Sequence, residues 1–122
     1  MYAVRIAYPN AGNSFNLDHY LQVHSPLGLG LLWTERGVKP ARIEIDVEPA
    51  ALAHNEPPSY LCATNLYFST LEEVNAFRSL FADPAISQRL KADFPNYTAL
   101  PPVISVSKIL SLDPETYAAD PN

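Results

Sequence analysis

The stretch Ser59-Tyr60-Leu61-Cys62-Ala63-Thr64-Asn65-Leu66-Tyr67-Phe68-Ser69-Thr70-Leu71-Glu72-Glu73-Val74 changes period partway along, and that change decides the fold class. Ser59 to Phe68 is almost continuously apolar, as expected of a strand covered on both sides at the centre of a sheet. Thr70-Leu71-Glu72-Glu73 then carries the capping-box pattern, in which the threonine hydroxyl and the glutamate three residues later satisfy each other's backbone donors. It opens a helix with Val74, Phe77 and Phe81 on one face. Asp83-Pro84 restarts that helix: Asp83 caps, Pro84 suits the first helical position, and Ile86 and Leu90 continue the apolar stripe.

Downstream, Pro95-Asn96-Tyr97-Thr98 and Pro101-Pro102 make a stiff connection to a last strand, Val103 to Leu110, and the tail after Asp113 is polar. Upstream, Tyr2, Val4, Ile6 and Tyr8 alternate with Ala3, Arg5 and Ala7, the period of a half-covered strand. Pro9 to Asn13 is a loop. From Leu17 the period becomes helical, with Leu17, Tyr20, Leu21, His24, Gly28 and Leu31 sharing one face and Asn16 as N-cap. Pro26 interrupts that helix and frees the carbonyl of Gln22. Gly28, Gly30 and Gly37 argue against regular helix from Leu27 to Arg36. Ala41 to Glu48 alternates again, with Ile43, Ile45 and Val47 inward. Pro49 to Pro58 is a loop holding His54.

The order strand, helix, strand, strand, helix, strand predicts an α+β, ferredoxin-like βαββαβ domain. Its four-stranded antiparallel sheet has two helices on one face. The domain is expected over residues 1–112, with 113–122 as a polar tail. Apolar residues left on the other face predict pairing of two copies, hence a homodimer.

With 122 residues the chain supports one core, and a generous pocket is expected to need a partner subunit. Net charge is −5 with eight scattered Lys and Arg, a balance that argues against nucleic acid or anionic membrane as partner. No apolar run approaches membrane-spanning length, and Met1 to Ile6 lacks a basic, apolar leader, so a cytoplasmic location is expected. The single cysteine, Cys62, is expected to pack as a small hydrophobe. No Gly-rich phosphate loop or nucleophile elbow is present, and no metal or nucleotide cofactor is expected.

Among chemically capable groups, His24 stands out: an imidazole on an apolar helical face, near an interruption, can serve as general base or acid near neutral pH. Its plainer reading is a buried histidine satisfied by the kink or by Asp93 or Tyr97. Tyr97 and Thr98 can present hydroxyls to a substrate oxygen, or Tyr97 can simply anchor the Pro-rich connection. Asp93 can orient His24, or it can terminate the second helix. Tyr20, Trp33, Tyr60 and Tyr67 are candidates for an aromatic-accepting pocket, although aromatics at such spacing are usually core. His19 and His54 are expected to face solvent, and no metal site is read from three histidines so far apart.

Two runs carry a resemblance. Phe15-Asn16-Leu17-Asp18-His19-Tyr20-Leu21-Gln22-Val23-His24-Ser25-Pro26-Leu27 resembles the F-D-x-x-Y-Y-x-x-x-H-x-P-L run of the EthD family. Phe94-Pro95-Asn96-Tyr97-Thr98, with Pro102 to Ser107, resembles its D-x-P-x-Y-T-x-x-x-P run before the last strand. The resemblance spans essentially the whole chain and implies a dimeric α+β barrel. Its wider superfamily includes cofactor-free monooxygenases, polyketide cyclases, decarboxylases and dehydratases. It implies site roles for Tyr20, His24, Pro26, Asp93, Tyr97 and Thr98. The chain departs from the pattern at Asn16, where an acid is usual, at His19, which replaces the first tyrosine, and at Ser25, which replaces methionine. From the residues themselves, the expected activity is cofactor-free proton transfer on a small hydrophobic or aromatic molecule, with His24, Tyr97 and Asp93 as the catalytic group and Tyr20, Thr98, Trp33 and Tyr67 binding the molecule. The alternative is a non-catalytic ligand-binding or stress-associated dimer.

Overall fold

The computed structural model of the chain describes residues 1–12, 14–53 and 55–121. The N-terminal alternation forms strand β1 (Tyr2–Pro9), and the continuous apolar run forms β3 (Tyr60–Phe68). Between them come α1 (Leu17–His19), a π-helical turn (Tyr20–His24), α2 (Ser25–Arg36) and β2 (Arg42–Asp46). After β3 follow α3 (Leu71–Ala82), α4 (Pro84–Asp93), a short 3-10 turn (Phe94–Asn96), β4 (Val103–Lys108) and α5 (Pro114–Tyr117). The sheet is antiparallel in the order β2-β3-β1-β4, the arrangement that two crossovers of the βαββαβ order produce.

Register sorts the side chains into two faces. Val106, Val4, Leu66 and Ile43 align in one row across the sheet, and Ile104, Ile6, Thr64 and Ile45 in the next. Val4, Leu66 and Phe68 pack with Leu32, Val74 and Leu80 from the helices into an aliphatic core. Each such side chain contributes about 1.5–3 kcal/mol on burial. A second cluster is aromatic: Tyr8, Tyr20, Cys62 and Tyr97, flanked by Phe15 and Phe94. Cys62 is sealed inside it, and burial pushes its thiol up to about 11.

The opposite face differs from expectation. Its rows read Ser107, Ala3, Tyr67, Arg42, then Ser105, Arg5, Asn65, Glu44, and last Val103, Ala7, Ala63, Asp46. At its centre Arg5 Nη1 reaches both Asp46 Oδ2 and Asn65 Oδ1 at 3.0 Å. A polar network therefore occupies the middle of the face on which an apolar second surface was predicted, with Val103, Ala7 and Ala63 to one side of it. Further apolar surface lies on edge strand β4, where Ile104 is 40% and Val106 41% exposed on the helix side and Val103 62% exposed on the other.

The capping box at Thr70 and Glu73 forms as read, and Asp83 caps α4 through Ala85 N–H. Helix α2 is regular despite its glycines. Pro26 sits in its first turn, directly after the π turn, and Gly37, at φ +67°, closes its end in the left-handed conformation. Edge strand β2 is shorter than predicted and stops before Glu48, whose φ is +51°. Ile43 and Val47, read as inward, are exposed, and so is Leu21, which the widened turn moves off the buried face. The tail after Asp113 is not wholly irregular: Asp113 caps α5 by accepting from Glu115 N–H. No helix among the described residues is long and apolar enough to cross a membrane.

Candidate functional site

The π turn organises the site. Ser25 N–H donates to the carbonyl of Tyr20, five residues back, rather than to Leu21 as an α-helix would require. A proline at position 26 would drive its ring into the carbonyl of Gln22, and widening the turn ahead of it relieves that contact. The widening has a geometric result. In an α-helix, side chains five apart diverge by roughly 140°. In a turn closed by i to i+5 bonds they come round to the same side. His19 and His24 are five apart, and both meet Asp93.

His19 Nε2 lies 2.8 Å from Asp93 Oδ1, and His24 Nδ1 lies 3.1 Å from Asp93 Oδ2. Asn96 Nδ2 donates to the same Oδ1 at 2.8 Å. Asp93 is the last residue of α4, so the carboxylate arrives from the far helix. Burial works against its charge, but bonds from Asn96, His19 and His24 outweigh that and hold the carboxyl below its ordinary range. Burial lowers the proton affinity of His24, opposed by its hydrogen bond to Asp93 and the carboxylate charge. With Asp93 ionised, Nδ1 carries the proton and Nε2 the lone pair. Nε2 has no hydrogen bond among the described residues, and no polar side-chain atom there is sealed without a partner, so Nε2 keeps accessible surface.

His24 lines a cavity of about 70 Å³ between the sheet and the helices. Tyr8, Tyr20, His24, Ser25 and Thr64 are its polar lining residues, and Leu66, Leu80, Leu90 and Phe94 are among its apolar ones. Phe81 and Ile104, both well exposed, belong to the cavity and also to a neighbouring groove lined by Val74 and Val106. The cavity therefore opens between α3 and β4. It lies within a single chain. Its volume is that of about two waters.

The hydroxyls are paired. Tyr20 Oη meets Thr64 Oγ1 at 2.5 Å, and Tyr8 Oη meets Tyr97 Oη at 2.8 Å. Burial raises all three phenols above the ordinary range, so they stay neutral O–H groups. The His24 ring lies 4.6 Å from that of Tyr97 between centroids and stacks on Tyr20 at 5.9 Å.

The sequence-predicted residues divide. Tyr20, His24, Asp93 and Tyr97 come together. Thr98 does not reach the cavity: its hydroxyl donates to the carbonyl of Leu100. Trp33 is half-exposed on the outer surface of α2 under the ammonium of Lys39. Tyr67 stands on the opposite face of the sheet beneath the Arg42 guanidinium, and Tyr60 beneath that of Arg5. His19, read as solvent-facing, is drawn onto Asp93, and His54 lies outside the described residues. Tyr8 and Thr64 were missed. The inward parity of Tyr8 and the lone hydroxyl on an apolar strand at Thr64 were the available signals. His19, His24 and Asp93 do not form a metal centre. The carboxylate stands between the rings, and no metal-binding cluster of three or more His, Cys, Asp or Glu occurs among the described residues.

This is a ferredoxin-like α+β domain with a histidine-lined cavity between sheet and helices. The chain belongs to the EthD family, whose EthD domain matches residues 13–101. Solved structures of similar fold include an EthD-like protein of Ralstonia eutropha JMP134 (TM-score 0.71, 19% identity, covering 93% of this chain and 96% of that one). An ethyl tert-butyl ether D (EthD) family protein of Bacillus halodurans C-125 matches with TM-score 0.58 and 11% identity, over 90% and 99% of the two chains. A protein of Arabidopsis thaliana matches with TM-score 0.54 and 14% identity, over 92% and 97%. No curated protein matches.

Proposed function

We propose that this EthD-family chain binds a small hydrophobic or aromatic molecule in its cavity and moves a proton on it without metal or nucleotide. The observation that carries the reading is the bonding of His24: Nδ1 is engaged by Asp93, and the ring forms part of the cavity wall. A phenol O–H or an acidic C–H presented there gives its proton to Nε2. The products are a phenolate or enolate and an imidazolium stabilised by the Asp93 carboxylate. Monooxygenation, cyclisation, decarboxylation and dehydration all begin with such a step or end with its reverse.

The hydroxyl-bearing lining residues Tyr8, Tyr20 and Thr64 suit an oxygen of the ligand, and the apolar walls, which make up most of the lining, suit its hydrocarbon part. Tyr97 acts through Tyr8 in this reading. Because the enclosed volume is small, a guest larger than a few heavy atoms extends through the opening between Phe81 and Ile104.

The chain works as a homodimer in this proposal, the support being the uncovered apolar side chains of β4 together with exposed Ile109, Leu110 and Leu112. The cytoplasm is the compartment the reading assigns, Cys62 being buried and without a disulfide partner.

The test is His24→Gln, assayed for binding and turnover of a panel of phenols and β-dicarbonyl compounds. Lost turnover with unchanged thermal unfolding supports proton transfer at His24. Binding and turnover both unchanged would refute it. Retained binding in a wild-type protein that turns over no member of the panel favours the non-catalytic ligand carrier.

A further inference from the structure

His19 stands where the EthD pattern has a tyrosine, and the π turn delivers it to the carboxylate that His24 uses. Side-chain exposure grades along the unit: 24% for His19, 13% for Asp93 and 10% for His24. The three groups form a line from the surface to the cavity wall.

We propose that His19 is a positioning residue for the cavity imidazole. By sharing Asp93 with His24, it keeps the cavity-side nitrogen of His24 a lone pair when the surroundings turn mildly acidic. The proposal rests on the reading that His24 moves a proton at the cavity, and it assigns the regulation of that step.

The physical argument is one of charge. A single carboxylate adjoins two imidazoles. A proton placed on His19 makes a cation 2.8 Å from Asp93 and spends most of the charge that would stabilise a second cation at His24. Repulsion from His19 opposes charge on His24, in the same direction as burial does.

The other titratable groups facing His24 do not offset this effect. Tyr20 stacks on it from its own helix, and Tyr97 packs against it from the connection to β4. Tyr8 from β1 and Cys62 from β3 stand behind those phenols. All four are neutral below pH 9, because burial raises each of them. Asn96 adds a neutral donor to Asp93 Oδ1, which leaves Oδ2 for His24.

The test is ¹⁵N-detected imidazole titration of the full chain, comparing wild type with His19→Phe and His19→Gln. The glutamine keeps a hydrogen-bond donor for Asp93 but carries no charge. Both variants are expected to raise the His24 midpoint by roughly half a pH unit or more. In the wild type the Nδ1–H tautomer of His24 should persist through the protonation of His19. An unmoved His24 midpoint in both variants overturns the proposal. So does a shift in the phenylalanine variant alone, which would make His19 a hydrogen-bond donor and nothing more. If the phenylalanine variant does not fold, the glutamine variant decides alone. The readout needs no substrate, so its failure leaves proton transfer at His24 standing, and its success does not depend on turnover.

Discussion

The phenol oxygens of Tyr8 and Tyr97 stand 2.8 Å apart and join the first strand to the connection before the last, 89 residues later. Both rings are buried, so each hydroxyl depends on the other for much of its hydrogen bonding. Replacing either by phenylalanine leaves the partner with a lost bond in an apolar setting, at a cost of about 1–3 kcal/mol. Tyr8→Phe with Tyr97→Phe should cost less than the sum of the two, because no orphan remains. A double-mutant cycle by urea unfolding measures this, and strict additivity would contradict the pairing.

Stability should fall as the solution is acidified. His24 binds its proton less readily folded than unfolded, so its contribution is complete above about pH 6.5 and erodes as pH drops below that value. The Asp93 carboxyl is also lowered, and its contribution persists until about pH 4 before it too erodes. Urea midpoints at pH 7.5, 5.5 and 4 should descend, and His24→Gln should flatten the first interval. A midpoint that rises toward pH 5.5 contradicts the assignment.

Leu32 is fully buried in the aliphatic core and does not line the cavity. Leu32→Ala should cost about 2–5 kcal/mol while ligand affinity, measured on the folded fraction, stays unchanged. Leu80→Ala, by contrast, widens the cavity wall and should alter which guests bind. Equal effects of the two on binding would show that the cavity is not the ligand site.

Thr70→Ala removes the acceptor for Glu73 N–H and half of a reciprocal cap. The expected loss is about 1 kcal/mol. Thermal unfolding checks it, and a neutral result would mean that the α3 terminus is held by packing alone.

Val106→Lys places a charge on the uncovered helix-side strip of β4. Sedimentation should show the wild type at twice the chain mass and the variant at the chain mass. A wild type that sediments as one chain at micromolar concentration removes the dimer from the proposal.

The layers of this fold were legible because burial imposes simple periods: two along β1, near-continuity along β3 and a capping box at Thr70. What escaped depends on placement across the chain. The parity of Tyr67 could be counted, but which face of its strand meets the helices could not, so a surface tyrosine was read as a pocket residue. Thr98 looked available because its acceptor, the Leu100 carbonyl, is set by the bend of a Pro-rich connection. His19 was read as solvent-facing on regular helical geometry, and the partner that claims it lies 74 residues away. His24 and Asp93 were legible as a possible pair, since both occur in runs resembling the family's. That the second carboxylate oxygen serves another ring was not.

The widened turn at Tyr20–His24 already holds one residue more than an α-turn does, which leaves the chain intolerant of a further one at that point. One more residue there, wound as ordinary helix, would swing everything ahead of it by roughly 100°. His19 would leave the carboxylate, and Phe15 and Asn16 would leave the connection they brace. The loop from Pro49 to Pro58 joins two strands at the sheet's rim and carries no such phase, so natural variation in size should gather there and spare the turn.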